Sequence, residues 1–154
     1  MKIYIDTELW IFAQKVPDPS KFSNSSEYDR KKKNYELSNA FFSKHLQEDE
    51  ILMTYHQICE IYHALAFRGF RIPEKEALEF CIQLINNKCI HLYYNSIDNI
   101  KQSLKLSRES GIHIWDYLCI IPFYKDVEIF YSCDDHFQHP TFQSLGPKIE
   151  NPLE

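Results

Sequence analysis

A mostly parallel β-sheet covered by helices on both faces is the architecture this sequence predicts, on three observations. Short apolar runs, Ile3-Tyr4-Ile5, Ile51-Leu52-Met53 and Ile129-Phe130-Tyr131, have the length and continuity of strands buried on both sides. Segments with helical spacing of apolar residues alternate with them, and such β–α alternation builds a layered sheet with right-handed crossovers. Asp6 and Asp134 follow the first and last of these runs, while Glu60 and Asp116 lie early in helical segments. A parallel sheet would collect all four along the edge where ligands usually bind.

The elements follow in order. Residues 2–6 read as the first strand, and the polar stretch 17–29, with Pro-Asp-Pro-Ser and Asn-Ser-Ser, reads as a surface loop. Tyr35, Leu37, Ala40, Phe41, Phe42 and Leu46 give an amphipathic helix to about Gln47. The second strand is 51–54. Thr54 and Gln57 form a capping box for a helix with Ile58, Ile61, Tyr62 and Leu65 at helical spacing, ended by Arg68-Gly69. Pro73 opens the next helix, which carries Ala77, Leu78, Phe80, Cys81, Leu84 and Ile85. Residues 89–94 make a third strand. Ser96 caps a helix to about Glu109, with Ile97, Ile100, Leu104 and Leu106 inward and Lys101, Lys105 and Arg108 outward. Gly111 breaks it before the Asp116 helix, and Pro122 ends or kinks that one. The fourth strand is about 127–132, and residues 146–149 add a short edge strand, for four to five strands in all.

Composition narrows the function classes. At 154 residues and 44% hydrophobic, residues 1–154 suit one domain around one substantial core. Mean hydropathy is −0.42, no run approaches the roughly 20 apolar residues that span a bilayer, and residues 2–6 are too short for a signal peptide. Cys59, Cys81, Cys89, Cys119 and Cys133 are odd in number and lack CxxC spacing, so the expectation is reduced core thiols in a cytoplasmic protein. A formal charge of −5 argues against a nonspecific nucleic-acid coat, but not against an acidic pocket filled by cations, because a bound metal changes the local sign.

Carboxylates gathered on one sheet edge repel one another and stay ionised only beside a hard cation, so Mg²⁺ or Mn²⁺ is the expected cofactor. Each acid also has a structural reading: a turn cap for Asp6, a solvated helix face for Glu60, and an acid favoured by the helix dipole for Asp116. Asp134 and Asp135 compete for one role. His136 and His139, three residues apart beside two acids, offer a pair of transition-metal ligands but read first as a surface turn, and His56 and His63 read as ordinary helix residues. Trp115, Phe123 and Phe130 read as core, and Arg30 with Lys31-Lys32-Lys33 as a solvated helix start.

The blocks "IYIDT", "TYHQICEIYHAL", "SGIHIWDYLCII" and "IFYSCDDHF" together resemble the four signature blocks of PIN domains, and are most similar to VapC-type toxin ribonucleases of type II toxin–antitoxin operons. The closing "GPKIENP" resembles the last strand of such domains. The resemblance spans nearly the whole chain and implies a PIN-like three-layer α/β/α sandwich acting as a metal-dependent endoribonuclease. Asp6, Glu60, Asp116 and Asp134 match the family's four acids in order, with Thr7 and Ser132 at its supporting positions. The resemblance further implies an RNA substrate, a cognate antitoxin lying over the groove, and a homodimer, with the apolar faces around 35–46 and 58–67 available for partners.

On this reading Asp6, Asp116 and Asp134 hold one or two ions, two sitting about 3.5–4 Å apart. Glu60 holds water or acts as general base, and Glu8 and Asp135 are further candidate ligands. The chain departs from the pattern at Glu8, where the family usually has Asn, at Pro122, and in a longer segment 14–34. Two other readings stand beside it. One is a haloacid-dehalogenase-like phosphatase with Asp6 as nucleophile, which leaves Glu60 and Asp116 unexplained. The other is a catalytically silent PIN-like interaction module.

Overall fold

Five parallel strands form one sheet in the computed structural model, which describes residues 1–154. They are β1 (Lys2–Ile5), β2 (Glu50–Thr54), β3 (Ile90–Tyr93), β4 (Ile129–Tyr131) and β5 (Lys148–Glu150), in spatial order β3-β2-β1-β4-β5. The pairing register sets Ile3 level with both Ile51 and Ile129. Side chains of a strand alternate between faces. Ile3, Ile5, Ile51, Met53 and Tyr131 therefore enter one core, and Tyr4, Leu52 and Phe130 the other.

The first core lies under α1 (Thr7–Gln14), α2 (Ser25–Glu48), α3 (Tyr55–Phe67) and α4 (Glu74–Asn86), and is filled by Leu9, Trp10, Phe42, Ile61, Leu65 and Leu84. On the opposite face α5 (Ile97–Ser110) packs against α6 (Ile114–Ile120), and Tyr117, Phe137 and Phe142 join α6 and α7 (Pro140–Gln143) to the sheet. The stacked pair Tyr117–Phe142, with ring centroids 4.5 Å apart, ties α6 to α7. The result is the expected α/β/α sandwich.

The chain runs outward from β1 to β2 to β3, then returns to place β4 on the other side of β1. The strand order thus reverses between β1 and β4, and the residues leaving both strands flank that crevice.

Several expectations are corrected. Segment 17–29 is not all loop: a 3₁₀ turn occupies Pro19–Lys21, and α2 starts at Ser25, with the Asn24 side chain accepting from Glu27 N. Helix α1 has no periodic signature in the sequence, because Leu9, Trp10, Ile11 and Ala13 are all buried and leave no polar stripe to mark a period. Only half of the expected capping box at Thr54 forms. Thr54 Oγ1 accepts from Gln57 N at 3.2 Å, while the Gln57 amide turns inward to the Ile5 carbonyl at 2.8 Å.

On α5 only Leu106 of the four apolar residues expected inward packs against the core. Ile97, Ile100 and Leu104 are exposed, and Ser103 is the buried residue of that helix. Leu78, Ile82 and Ile85 on α4 are exposed as well, so the open apolar stripes lie on α4 and α5. On 58–67 only Phe67 among the large apolar residues is exposed, and none is exposed on 35–46. Trp115 is 53% exposed rather than core. All five cysteines are free, but only Cys81 and Cys119 are buried.

Candidate metal centre

Asp6 is the first residue past β1 and the N-cap of α1. Its Oδ1 accepts from Thr7 N at 2.8 Å, so one carboxylate oxygen satisfies the helix start. Oδ2 accepts from Ser132 Oγ at 2.7 Å, across the crevice from the end of β4. Ser132 Oγ in turn accepts from Asp134 N at 3.0 Å, and the Asp134 side chain accepts from His136 N at 2.8 Å. A single buried serine therefore sets the spacing between two of the acids.

Glu60 reaches the crevice from α3. Thr7 Oγ1 donates to its Oε2 at 2.6 Å, joining the first strand's exit to the third helix. Asp116, in the first turn of α6, faces His136 Nδ1 at 3.2 Å, and the same nitrogen lies 3.6 Å from Asp134. Asp6, Thr7, Glu60, Asp116, Asp134 and His136 all line one cleft of about 190 Å³. Asp135 is exposed and lies outside that lining. Glu8 lines it too, but its carboxylate is held by Arg68 Nη2 at 2.8 Å.

The electrostatics follow from burial. Asp6 is 7% exposed, and desolvation pushes its carboxyl up to about 8; the Ser132 hydrogen bond resists, and the charges of Asp116 and Asp134 push further. Burial likewise raises Asp116, opposed by His136 and reinforced by Asp134 and Glu60. No lysine or arginine pairs with any of the four acids. Such a site needs positive charge to hold its carboxylates ionised.

The donor set is all oxygen, which matches Mg²⁺ or Mn²⁺ rather than a softer ion. No three of these four acids bring oxygens within 4.8 Å of one another; that closer grouping belongs to His56, Glu60 and Cys119. The looser ring suits an ion that keeps several of its waters. The residues present therefore fit a hard divalent cation.

Sequence reasoning gives Gln57 and Arg68 no part in the site, and prefers a surface turn to metal ligation for His136. Gln57 is fully buried, and its amide, bonded to the Ile5 carbonyl, ties α3 to the end of β1. Its position one residue before apolar Ile58 on a predicted helix is a weak signal for an inward polar anchor.

No protein-family model and no curated protein matches the chain by sequence. Solved structures do match. VapC20 of Mycobacterium tuberculosis, a Sarcin-Ricin loop cleaving toxin, aligns with TM-score 0.65 and 14% identity over 94% of this chain and 95% of its own. FitAcB of Neisseria gonorrhoeae aligns with TM-score 0.59 and 14% identity over 99% of each chain. VapBC2 of Rickettsia felis, bound to a DNA fragment from its promoter, aligns with TM-score 0.58 and 9% identity over 98% of each. At such low identity and nearly full mutual coverage, what is established is the architecture: this chain has the PIN-like α/β fold of these proteins.

Proposed function

We propose that this chain is a Mg²⁺- or Mn²⁺-dependent endoribonuclease, the cytoplasmic toxin of a toxin–antitoxin pair. The observation that carries the reading is the buried Asp6, sharing one cleft with Glu60, Asp116 and Asp134 and with no lysine or arginine to neutralise them. The RNA-cleaving VapC20 among its structural neighbours supports it.

Asp6, Asp116 and Asp134 would hold the ion. When bound, it neutralises charge developing on the phosphate oxygens and makes water more acidic. The rest falls to this chain's own side chains. Thr7 fixes Glu60 through Oε2, leaving the other carboxylate oxygen to take the proton of the attacking water. Ser132 holds Asp6 and the Asp134 backbone at a set separation. Attack by water leaves 5′-phosphate and 3′-hydroxyl ends.

The Glu8 departure is absorbed locally, because Arg68 takes up its charge. That ion pair also leaves Glu8 poorly placed as the general acid of a phosphatase. Pro122 falls beyond the end of α6, six residues past Asp116, and leaves the helix that carries the acid intact. Both points favour the nuclease over the phosphatase and the silent module.

An apolar groove of about 430 Å³, walled by Ile11, Phe12, Phe22 and Phe70, adjoins the cleft across the Glu8–Arg68 pair and would seat an antitoxin segment. The exposed apolar stripes of α4 and α5 would be covered in a homodimer.

The deciding experiment is cleavage of structured RNA with Mg²⁺ or Mn²⁺, with EDTA, and with Asp116→Asn. Cleavage should require the ion and vanish in the variant. Cleavage that persists in EDTA, or at the wild-type rate in Asp116→Asn, would overturn the reading.

A further inference from the structure

A second set of donors, of different chemistry, converges on Glu60, the one member of the set that also lines the cleft. His56 and Glu60 stand four residues apart on α3, hence on one helix face. Cys119 comes from α6. A ring nitrogen of His56, a carboxylate oxygen of Glu60 and Sγ of Cys119 all lie within 4.8 Å of one another.

Two independent features mark these atoms as more than neighbours. Nε2 of His56 is buried and has no hydrogen-bond partner, an orphan that a native structure normally satisfies. The ring plane is fixed by stacking on Trp115, with centroids 5.3 Å apart and planes 14° from parallel. Cys119 Sγ lies 3.6 Å from Glu60 Oε2. A tetrahedral zinc with bonds of ~2.3 Å to sulfur and ~2.0 Å to oxygen places those two ligands roughly 3.5 Å apart.

We propose that His56, Glu60 and Cys119 form a Zn²⁺ site with an open fourth position, and that zinc bound there withdraws Glu60 from the hard-ion centre. Zinc takes all three ligand types, imidazole, carboxylate and thiolate, whereas magnesium takes only the carboxylate among them. Burial holds the His56 imidazole in its neutral, ligating form. Burial and the surrounding negative charge hold the Cys119 thiol protonated, and a divalent ion reverses that balance as it releases the proton. The binding claim stands by itself; the withdrawal of Glu60 rests on the proposed nuclease centre.

The test takes the whole chain, stripped with EDTA. Calorimetry with ZnCl₂ should find one ion per chain, and CoCl₂ should give a thiolate-to-cobalt charge-transfer band in the near ultraviolet. The band should vanish in Cys119→Ser, and zinc affinity should fall by ~10-fold or more in Cys119→Ser and in His56→Gln, the scale on which even supporting residues of metal sites act. Circular dichroism establishes that each variant is folded. If Cys119→Ser does not fold, His56→Gln decides, its ring being only partly buried. Equal zinc binding by wild type and the folded variants, or no such band in wild type, overturns the site. Single-turnover RNA cleavage with Mn²⁺ reads the shared Glu60: zinc-loaded protein should cleave more slowly than stripped protein, and an equal rate overturns the withdrawal of Glu60. Zinc binding as expected in a chain that cleaves no RNA with any ion would overturn the nuclease reading and leave this site standing.

Discussion

Replacing Asp6 with asparagine should stabilise the metal-free protein at neutral pH while removing its activity. The substituted amide keeps an oxygen for Thr7 N and offers its NH₂ to Ser132 Oγ, so the cap and the bridge between the two strand ends survive. What disappears is an ionisable group in a dry site. In the folded chain the Asp6 carboxyl titrates at about 8, against its usual 3.8, with burial the leading cause. Its contribution to stability is therefore complete below pH 3.8 and declines as pH rises toward 8, because the unfolded chain releases the proton first. At ~1.4 kcal/mol per pH unit, the wild type forfeits on the order of 4 kcal/mol at pH 7 in EDTA.

Urea denaturation of both proteins in EDTA, followed by circular dichroism across pH 4.5 to pH 7.5, measures this directly. The variant should exceed the wild type by several kcal/mol at pH 7.5, and the gap should narrow steadily toward pH 4.5. Adding Mn²⁺ should stabilise the wild type, by roughly 2.7 kcal/mol at a hundred times Kd, and leave the variant unchanged. A gap that does not vary with pH, or a variant less stable than wild type at pH 7.5, would refute the assignment of Asp6 as a buried acid awaiting a cation.

Other expectations follow from the same structure. Glu60→Gln should lower RNA cleavage by ~10²–10⁴-fold in single-turnover assays, as loss of a general base does, with stability little changed because Thr7 keeps a carbonyl to donate to. Ser132→Ala removes the strongest influence holding the Asp6 carboxyl down, so calorimetry should find weaker Mn²⁺ binding and a pH profile of binding moved to higher pH. Phe130→Ala leaves a void beside Tyr4 and Phe137 in the fully buried second core and should cost ~3–5 kcal/mol by urea denaturation.

What could be read without coordinates divides along physical lines. The strands were legible because each parallel strand is buried on both faces and so appears as an unbroken apolar run, as in Ile3-Tyr4-Ile5 and Ile129-Phe130-Tyr131. The start of α2 was missed although Asn24 and Glu27 carry an N-terminal signal, because its first turns are polar on every side. Helix α5 shows the limit of periodicity: the spacing of Ile97, Ile100 and Leu104 marks a face correctly but cannot say whether that face meets the sheet or solvent. Trp115 was misread for a related reason, since a large aromatic is ordinarily covered and here it stands at the rim of the cleft.

The four acids were found by where they fall relative to strands and helices, which is local information. Their partners are not local. Ser132 is 126 residues from Asp6, Glu60 is 53 from Thr7, and Cys119 is 59 from Glu60. By itself the sequence determined the alternation of elements, the parallel sheet and which carboxylates leave it at one edge, because these depend on neighbours a few residues apart. Only the tertiary structure decided that Arg68 would neutralise Glu8, that His136 would lie between Asp116 and Asp134, and that His56 and Cys119 would flank Glu60. Charge and desolvation act through space, and the distances that set them exist only once the sheet has brought remote segments together.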